Sequence, residues 1–391
     1  MKRSQLVHQI KNSDSLDSPA NIVAAALETA SWSVKNILTD EVNLKQQIRR
    51  KRQKVHKAAR LSGRAPDMVI PNELKVDGNG LPFLQEDIVT SEGKRVLIFG
   101  TDTVLNAVND PTLATAFADG TFKSSPANFT QIWIVRIAVH GVNIPVLYAL
   151  LENKTEISYT AVLQFLKRRC PRFDPDTFVV DFEAAEHNAI QAVYPDTRIQ
   201  GCHFHYCQAV KDRINKLPGV KEDEHLSQLM GCFYALPFLP LHDVEDGYHL
   251  LENYLLNYYP AITIEAQRFL EYYERTWIRG QSHTHPANWN VVLSTLEGAP
   301  RTNNASEGSN NALNRAVGGA KPTFANLIIK LRQFNARKEM RILQLQQHQT
   351  LNSDEKPRKA QRKRNTMLLT AVNTYNRNDM FAFLKKVGVQ Y

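Results

Sequence analysis

The sequence predicts an α/β fold in which a mixed sheet is flanked by helices and interrupted by an all-helical insertion domain. Two observations carry this. Short apolar and β-branched runs come first in succession and then alternate with helical periodicity, the order expected of antiparallel strands followed by αβ units. The strand pattern then stops over residues 221–300, where Tyr, Leu and Phe recur around Trp277 and Trp289. At 391 residues and 43% apolar content, the chain can build one large domain with an insertion, or two domains.

The elements follow in order. Ser18-Pro19 starts a helix over 18–39. The basic stretch after it continues as a second helix and breaks at Ser62-Gly63-Arg64-Ala65-Pro66. Pro71, Gly78, Gly80 and Pro82 mark loops and a short hairpin. Arg95 to Phe99 and Ala116 to Phe122 read as strands. Phe129 to Val139 is almost continuously apolar, as a strand buried on both faces would be, and Asn143 to Leu151 returns beside it. A helix over 156–169 is stopped by Pro171. The strand Thr177 to Phe182 is followed by a helix bearing Ala185, Ala189, Ile190 and Val193. Thr197 to Phe204 is a last strand, and a helix with Tyr206, Val210, Ile214 and Leu217 ends at Pro218-Gly219. Beyond the insertion, 303–316 is a polar, Asn-rich helix and 323–347 an amphipathic one. The expected organisation is a helical, basic N-terminal region (1–90), the first part of the core (91–220), the helical insertion (221–300), the last part of the core (301–350), and a basic linker with a short C-terminal helix (351–391).

Charge is unevenly spread. The chain holds 48 Lys plus Arg against 39 Asp plus Glu, formally +9. Residues 45–60 hold eight basic residues and no acid, and residues 356–364 hold six more. Removing these fourteen leaves 34 basic against 39 acidic residues. The positive balance therefore sits in two short segments suited to phosphate contact or nuclear import, or, more blandly, to a solvated helix face. Met1-Lys2-Arg3-Ser4 leads into no apolar run, so a secretory signal is not expected. The longest apolar runs fall well short of the roughly 20 residues that span a bilayer. Four cysteines, Cys170, Cys202, Cys207 and Cys232, are too few for a disulfide scaffold.

Three acids need explaining. Asp181 follows the buried-strand run Thr177 to Val180, and Asp119 sits near the end of the first core strand. Carboxylates at neighbouring strand ends are a seat for divalent cations, although each alone also suits a turn or cap. Glu307 lies among Asn303, Asn304, Asn310 and Asn311. Asn is a poor helix former, so this helix is not composed for stability, and its bland reading is a polar surface helix.

DGTFK at 119–123, VVDFEAA at 179–185, GCHFH at 201–205 and RTNNASEG at 301–308 occur in that order. Together they resemble the transposase domain of Mutator-like elements (MULE), of the DDE transposase superfamily and of the FLYWCH-associated type, most specifically over 94–345. The resemblance implies an RNase H-like fold, with Asp119, Asp181 and Glu307 as catalytic residues holding Mg²⁺ or Mn²⁺. It implies phosphodiester cleavage at transposon ends followed by strand transfer into target DNA. It further implies DNA contacts from Arg49, Arg50, Lys51, Arg52, Lys54, Arg301, Asn303 and Asn304, a nuclear location, no membrane, and a homo-oligomer on DNA. Cys202 and His205 match the family's CxxH signature, and His283 or His285 would complete one structural zinc site with them. The alternative for that pair is buried packing around a strand–helix turn. Such relatives often carry a Cys/His zinc finger. No Cys precedes Cys170 or follows Cys232, so the finger is expected to be lacking, which leaves terminal-repeat recognition to the basic helix or a partner. A catalytically silent, element-derived DNA-binding or regulatory protein is the competing reading. A host RNase H-like nuclease fits the fold but not the CxxH and RTNN motifs.

Overall fold

The computed structural model describes residues 19–28, 43–48, 50, 65–140, 142–260, 263–348 and 359–391. Seven strands form one sheet: β1 (Leu84–Val89), β2 (Arg95–Phe99), β3 (Thr115–Thr121), β4 (Gln131–Val139), β5 (Val142–Leu151), β6 (Thr177–Val180) and β7 (Arg198–Gly201). Their spatial order is β1-β2-β5-β4-β3-β6-β7. The first five pair antiparallel, whereas β6 runs parallel to β3 and β7 parallel to β6. The sheet is mixed, as the sequence pattern required.

Helix α1 (Pro19–Glu28) lies inside the predicted N-terminal helix, and the remainder of that prediction lies outside the described residues. The other principal helices are α2 (Asp102–Val108), α3 (Glu156–Arg169), α4 (Ala184–Val193), α5 (His203–Ile214), α6 (Glu224–Cys232), α7 (Val244–Tyr258), α8 (Thr263–Tyr273), α9 (Asn304–Val317), α10 (Phe324–His348), α11 (Lys359–Asn373) and α12 (Met380–Gly388).

Alternation along the central strands explains the layers. Trp133, Val135 and Ile137 of β4 point into a core closed by α2, α3 and α4. Ile132 and Ile134 point the other way, into a core closed by Leu313 and Val317 of α9 and by Phe324, Leu327, Ile328 and Leu331 of α10. A strand buried on both faces reads as a continuous apolar run, which is why β4 and β5 were legible. β1 and α2 were not. β1 is a half-exposed edge strand rich in charge, and edges carry charge to resist pairing with other chains. α2 has only seven residues, too few for its stripe of Val104, Leu105 and Val108 to show a period.

A third core belongs to the helical region. Tyr206 and Val210 of α5, Leu226 and Met230 of α6, Leu251 and Leu255 of α7, and Phe269 and Tyr273 of α8 meet there. Leu368 and Ala371 of α11 and Phe383, Leu384 and Val387 of α12 join them. The 351–391 segment, expected to be a linker and one short helix, thus ends in two helices that close the core of the helical region. Among the described residues, no helix is long and apolar enough to cross a membrane.

α12 crosses α6 glycine to glycine. A Cβ on Gly388 would stand 2.6 Å from the Gly231 carbonyl oxygen, whereas one on Gly231 would meet nothing closer than 3.7 Å. Gly388→Ala is therefore expected to cost about 1–3 kcal/mol in chemical denaturation and Gly231→Ala much less. Equal costs would contradict this packing.

Candidate active site

β3 and β6 pair in parallel register, with Thr115 opposite Thr177 and Phe117 opposite Val179. Two residues further along each strand stand Asp119 and Asp181, so the register that builds the sheet sets the two carboxylates side by side at its edge. Asp119 is buried and Asp181 half-buried. β7 continues the pattern, with Gly201 opposite Val180. Cys202 N–H donates to the Val180 carbonyl at 2.7 Å, and the chain turns into α5 with His205 in its first turn. Gly201 is needed at that turn, since a Cβ there would collide with the Phe182 ring.

Glu307 arrives from over a hundred residues away, and asparagines bring it. Asn303 donates to the Ala118 carbonyl at 3.0 Å, Asn310 to Asp119 Oδ2 at 2.6 Å, and Asn314 accepts from Thr121 Oγ1 at 3.2 Å. Ser306 accepts from Asn143 at 3.1 Å. These positions recur at helical spacing on one face of α9. The Asn content that weakens the helix therefore stitches it along β3, with Glu307 one turn from Asn303 and Asn310. The RTNN segment is also clasped to the α5 turn, His203 N–H donating to the Arg301 carbonyl at 3.0 Å and Asn303 N–H to Cys202 Sγ at 3.1 Å.

The His205 ring lies between two acids. Its Nδ1 contacts Asp181 Oδ1, and its Nε2 is 3.0 Å from Glu307 Oε1. Yet Asp181 Oδ1, His205 Nδ1 and Glu307 Oε1 are buried atoms without a partner in hydrogen-bond geometry. Burial, followed by the charge of Asp181, pushes the Asp119 carboxyl up to about 7, with Arg136 and His205 opposing. Burial likewise raises Glu307, against the pull of His205. For His205, burial disfavours the charged ring, but contact with Asp181 and Cys202 overrides it and holds the imidazole up to about 11. Crowded carboxylates with unpartnered buried oxygens are what a bound cation relieves, and their all-oxygen donor set suits a hard divalent ion.

Other expected site residues fall differently. Asp181, Cys202 and His205 each offer a ligand atom within 4.8 Å of the others. Among the described residues neither His283 nor His285 joins them. The His283 ring stands 6.2 Å from that of His187, and His285 Nδ1 accepts from Ala287 N–H, capping a short helix. The third donor beside the CxxH pair is thus Asp181, because the β6–β7 register puts it there. Asn303, expected to touch DNA, is wholly buried and spent on the Ala118 carbonyl. Asn304 is exposed, and half-buried Arg301 donates to Asn365 Oδ1 of α11 at 2.6 Å. Arg50 is exposed, while Arg49, Lys51, Arg52 and Lys54 lie outside the described residues.

Sequence reading placed Asn310 on the polar face beside Glu307 but gave it no role, and it missed Arg136 and Glu186. Arg136 is buried in the middle of β4, diagonal to Asp119, and donates to Asn310 Oδ1, so a guanidinium backs the first acid through one amide. Its signal was a lone charge inside QIWIVRIAV. Glu186, on the first turn of α4, is buried and accepts from Trp133 Nε1 at 2.8 Å. Burial, then the charge of Asp181, raises its carboxyl well above the usual range. A raised acid contributes stability that is full below its unfolded value near 4.5 and is lost as pH climbs through the folded value. Glu186→Gln, which keeps the Trp133 hydrogen bond, is therefore expected to raise Tm at pH 7–8 and to match wild type near pH 4. A Tm difference that does not change with pH would contradict this.

No curated protein matches the chain. Residues 115–209, which hold Asp119, Asp181, Cys202 and His205 and stop short of Glu307, match the family model of the MULE transposase domain. Residues 115–209 thus carry a MULE transposase domain, which implies an interaction with DNA.

Proposed function

We propose that the protein is a MULE-type DDE transposase that cleaves DNA at transposon ends and transfers the cut strand into target DNA with Mg²⁺ or Mn²⁺. The observation that carries this is the convergence of Asp119, Asp181 and Glu307 from two strand ends and a distant helix. The strand order β5-β4-β3-β6-β7, with β6 and β7 parallel to central β3, supports an RNase H-like core with the helical region inserted before Glu307.

Bound at these carboxylates, the divalent ions would activate a water or 3′-hydroxyl and stabilise the leaving 3′-oxygen. The chain's own residues do the positioning. β3 and β6 hold Asp119 and Asp181 in fixed register, Asn310 orients Asp119 Oδ2, and α9 delivers Glu307. Arg301 and the exposed Lys359, Arg362 and Lys363 of α11 would meet phosphates. In this reading the basic segments also serve nuclear import, and the protein acts on DNA as a homo-oligomer.

A catalytically silent, element-derived DNA-binding or regulatory protein is the second reading. His205 favours it, because an imidazolium between Asp181 and Glu307 can neutralise both without a cation. A nicking and strand-transfer assay on DNA flanking the gene separates the two. The first reading predicts cleavage that appears with Mg²⁺ or Mn²⁺ and stops with EDTA. Binding without cleavage under any divalent ion assigns the second.

Cys202, His205 and Asp181 also offer three of the four donors that a structural Zn²⁺ takes, with Asp181 then shared with the Mg²⁺ site and His205 neutral. Mass spectrometry of chelator-washed protein is expected to find one zinc per chain, lost in Cys202→Ser. Zinc-free wild type would end that assignment.

A further inference from the structure

The helical region carries a cavity that the acid site does not use. Its volume is about 330 Å³, and its lining includes Tyr254, Tyr258 and Tyr259 at the end of α7, Phe381 and Lys385 of α12, and Asp223 before α6. Tyr254 and Tyr258 are one helical turn apart, so their rings share a face. Their centroids are 5.4 Å apart and the planes differ by 15°. Tyr254 stacks on Phe381 at 4.1 Å and 4°. Lys385 Nζ lies 5.7 Å from the centre of the Phe381 ring. Three near-parallel rings with an ammonium at one end thus form one wall, and Tyr258, 70% exposed, leaves its part of that wall open to water. Tyr254 and Phe381 pack against the rim of the helical core, whereas Tyr258 stands beyond it, so core packing leaves the exposed end of the ladder unexplained.

We propose that this cavity is a second nucleic-acid site that takes an unpaired nucleobase of single-stranded DNA. A planar heterocycle extends the parallel stack. Lys385 supplies a cation for the adjoining phosphate. The Asp223 carboxylate accepts the Leu226 N–H through Oδ1 and, among the described residues, no other hydrogen bond, so it can accept from a base amino group. A proline-rich peptide also docks on aromatic walls, but its grooves do not call for a single parallel stack ending in an ammonium. The proposal rests on the reading that the chain acts on DNA.

The test is fluorescence anisotropy of the full chain with a labelled dC12 single strand, a 12-base-pair duplex, and a labelled decaproline. Tyr258→Ala and Lys385→Glu are expected to weaken dC12 binding about 5- to 100-fold and to leave the duplex within twofold. Tyr258 is exposed, so its variant should keep the wild-type Tm, and Asp181→Ala should bind dC12 as wild type does. Unchanged dC12 affinity in Tyr258→Ala, or equal losses on single strand and duplex, overturns the proposal. So does decaproline binding that alone depends on Tyr258. If wild type fails to cut DNA while Tyr258-dependent dC12 binding persists, the transposase reading falls and this site stands.

Discussion

Asp181→Ala is expected to lower Mg²⁺-dependent nicking by on the order of 10³-fold or more, with duplex binding retained. Asp181 is the most connected acid of the site. It stands in register with Asp119, touches His205, shares ligand distance with Cys202, and passes its backbone carbonyl to His187 Nε2 at 2.7 Å. Its loss would remove one of the three proposed cation ligands and free His205 from the contact that holds its ring. Glu307→Gln, which keeps the shape and the helix, should lose activity nearly as completely, because an amide oxygen is a weaker ligand for a hard cation than a carboxylate. Single-turnover nicking on a pre-bound duplex reads this directly. Activity within tenfold of wild type in both variants would remove these acids from the reaction.

The second large effect is on folding. Arg136→Met is expected to cost about 3–5 kcal/mol in chemical denaturation, because breaking a buried charge pair leaves the surviving charge uncompensated. Burial drags the guanidinium down to about 10 while Asp119 pulls it back up, so the two groups need each other across Asn310. Asn310→Leu, which keeps both charges and cuts the amide between them, should cost less, about 1–3 kcal/mol. Both losses should shrink when Asp119 is also replaced by Asn, since the charge that Arg136 answers is then gone. An Arg136→Met protein within 1 kcal/mol of wild type would show that Asp119 draws its compensation elsewhere.

How much of this could be read from the chain depends on what each residue answers to. β4 and β5 were plain because burial on both faces writes itself as an unbroken apolar run. α9 and α10 were plain because their faces repeat at helical spacing. Asp119 and Asp181 stood out as carboxylates ending apolar strands. Their meeting was not legible from either segment, since it depends on the parallel register of β3 with β6. The Asn-rich composition near Glu307 was visible as an anomaly, and only the stitching of Asn303, Asn310 and Asn314 to β3 and its following loop gives it a purpose. Arg136 was hidden because a single charge in a strand does not name its partner. The zinc expectation reached across to His283 and His285, while the nearer third donor, Asp181, was already committed to another role. A short C-terminal helix was expected, but α11 and the docking of both α11 and α12 escaped, because their apolar faces complete a core begun more than a hundred residues earlier and no local pattern reports that.

We propose that Asp119, Asp181 and Glu307 form one divalent-cation site on the MULE transposase domain and α9. Anomalous diffraction from crystals of the protein soaked in Mn²⁺ tests it most directly. A manganese peak bounded by these three carboxylates is expected, diminished in Glu307→Gln crystals. Manganese absent from that position, with His205 still lodged between Asp181 and Glu307, would contradict it.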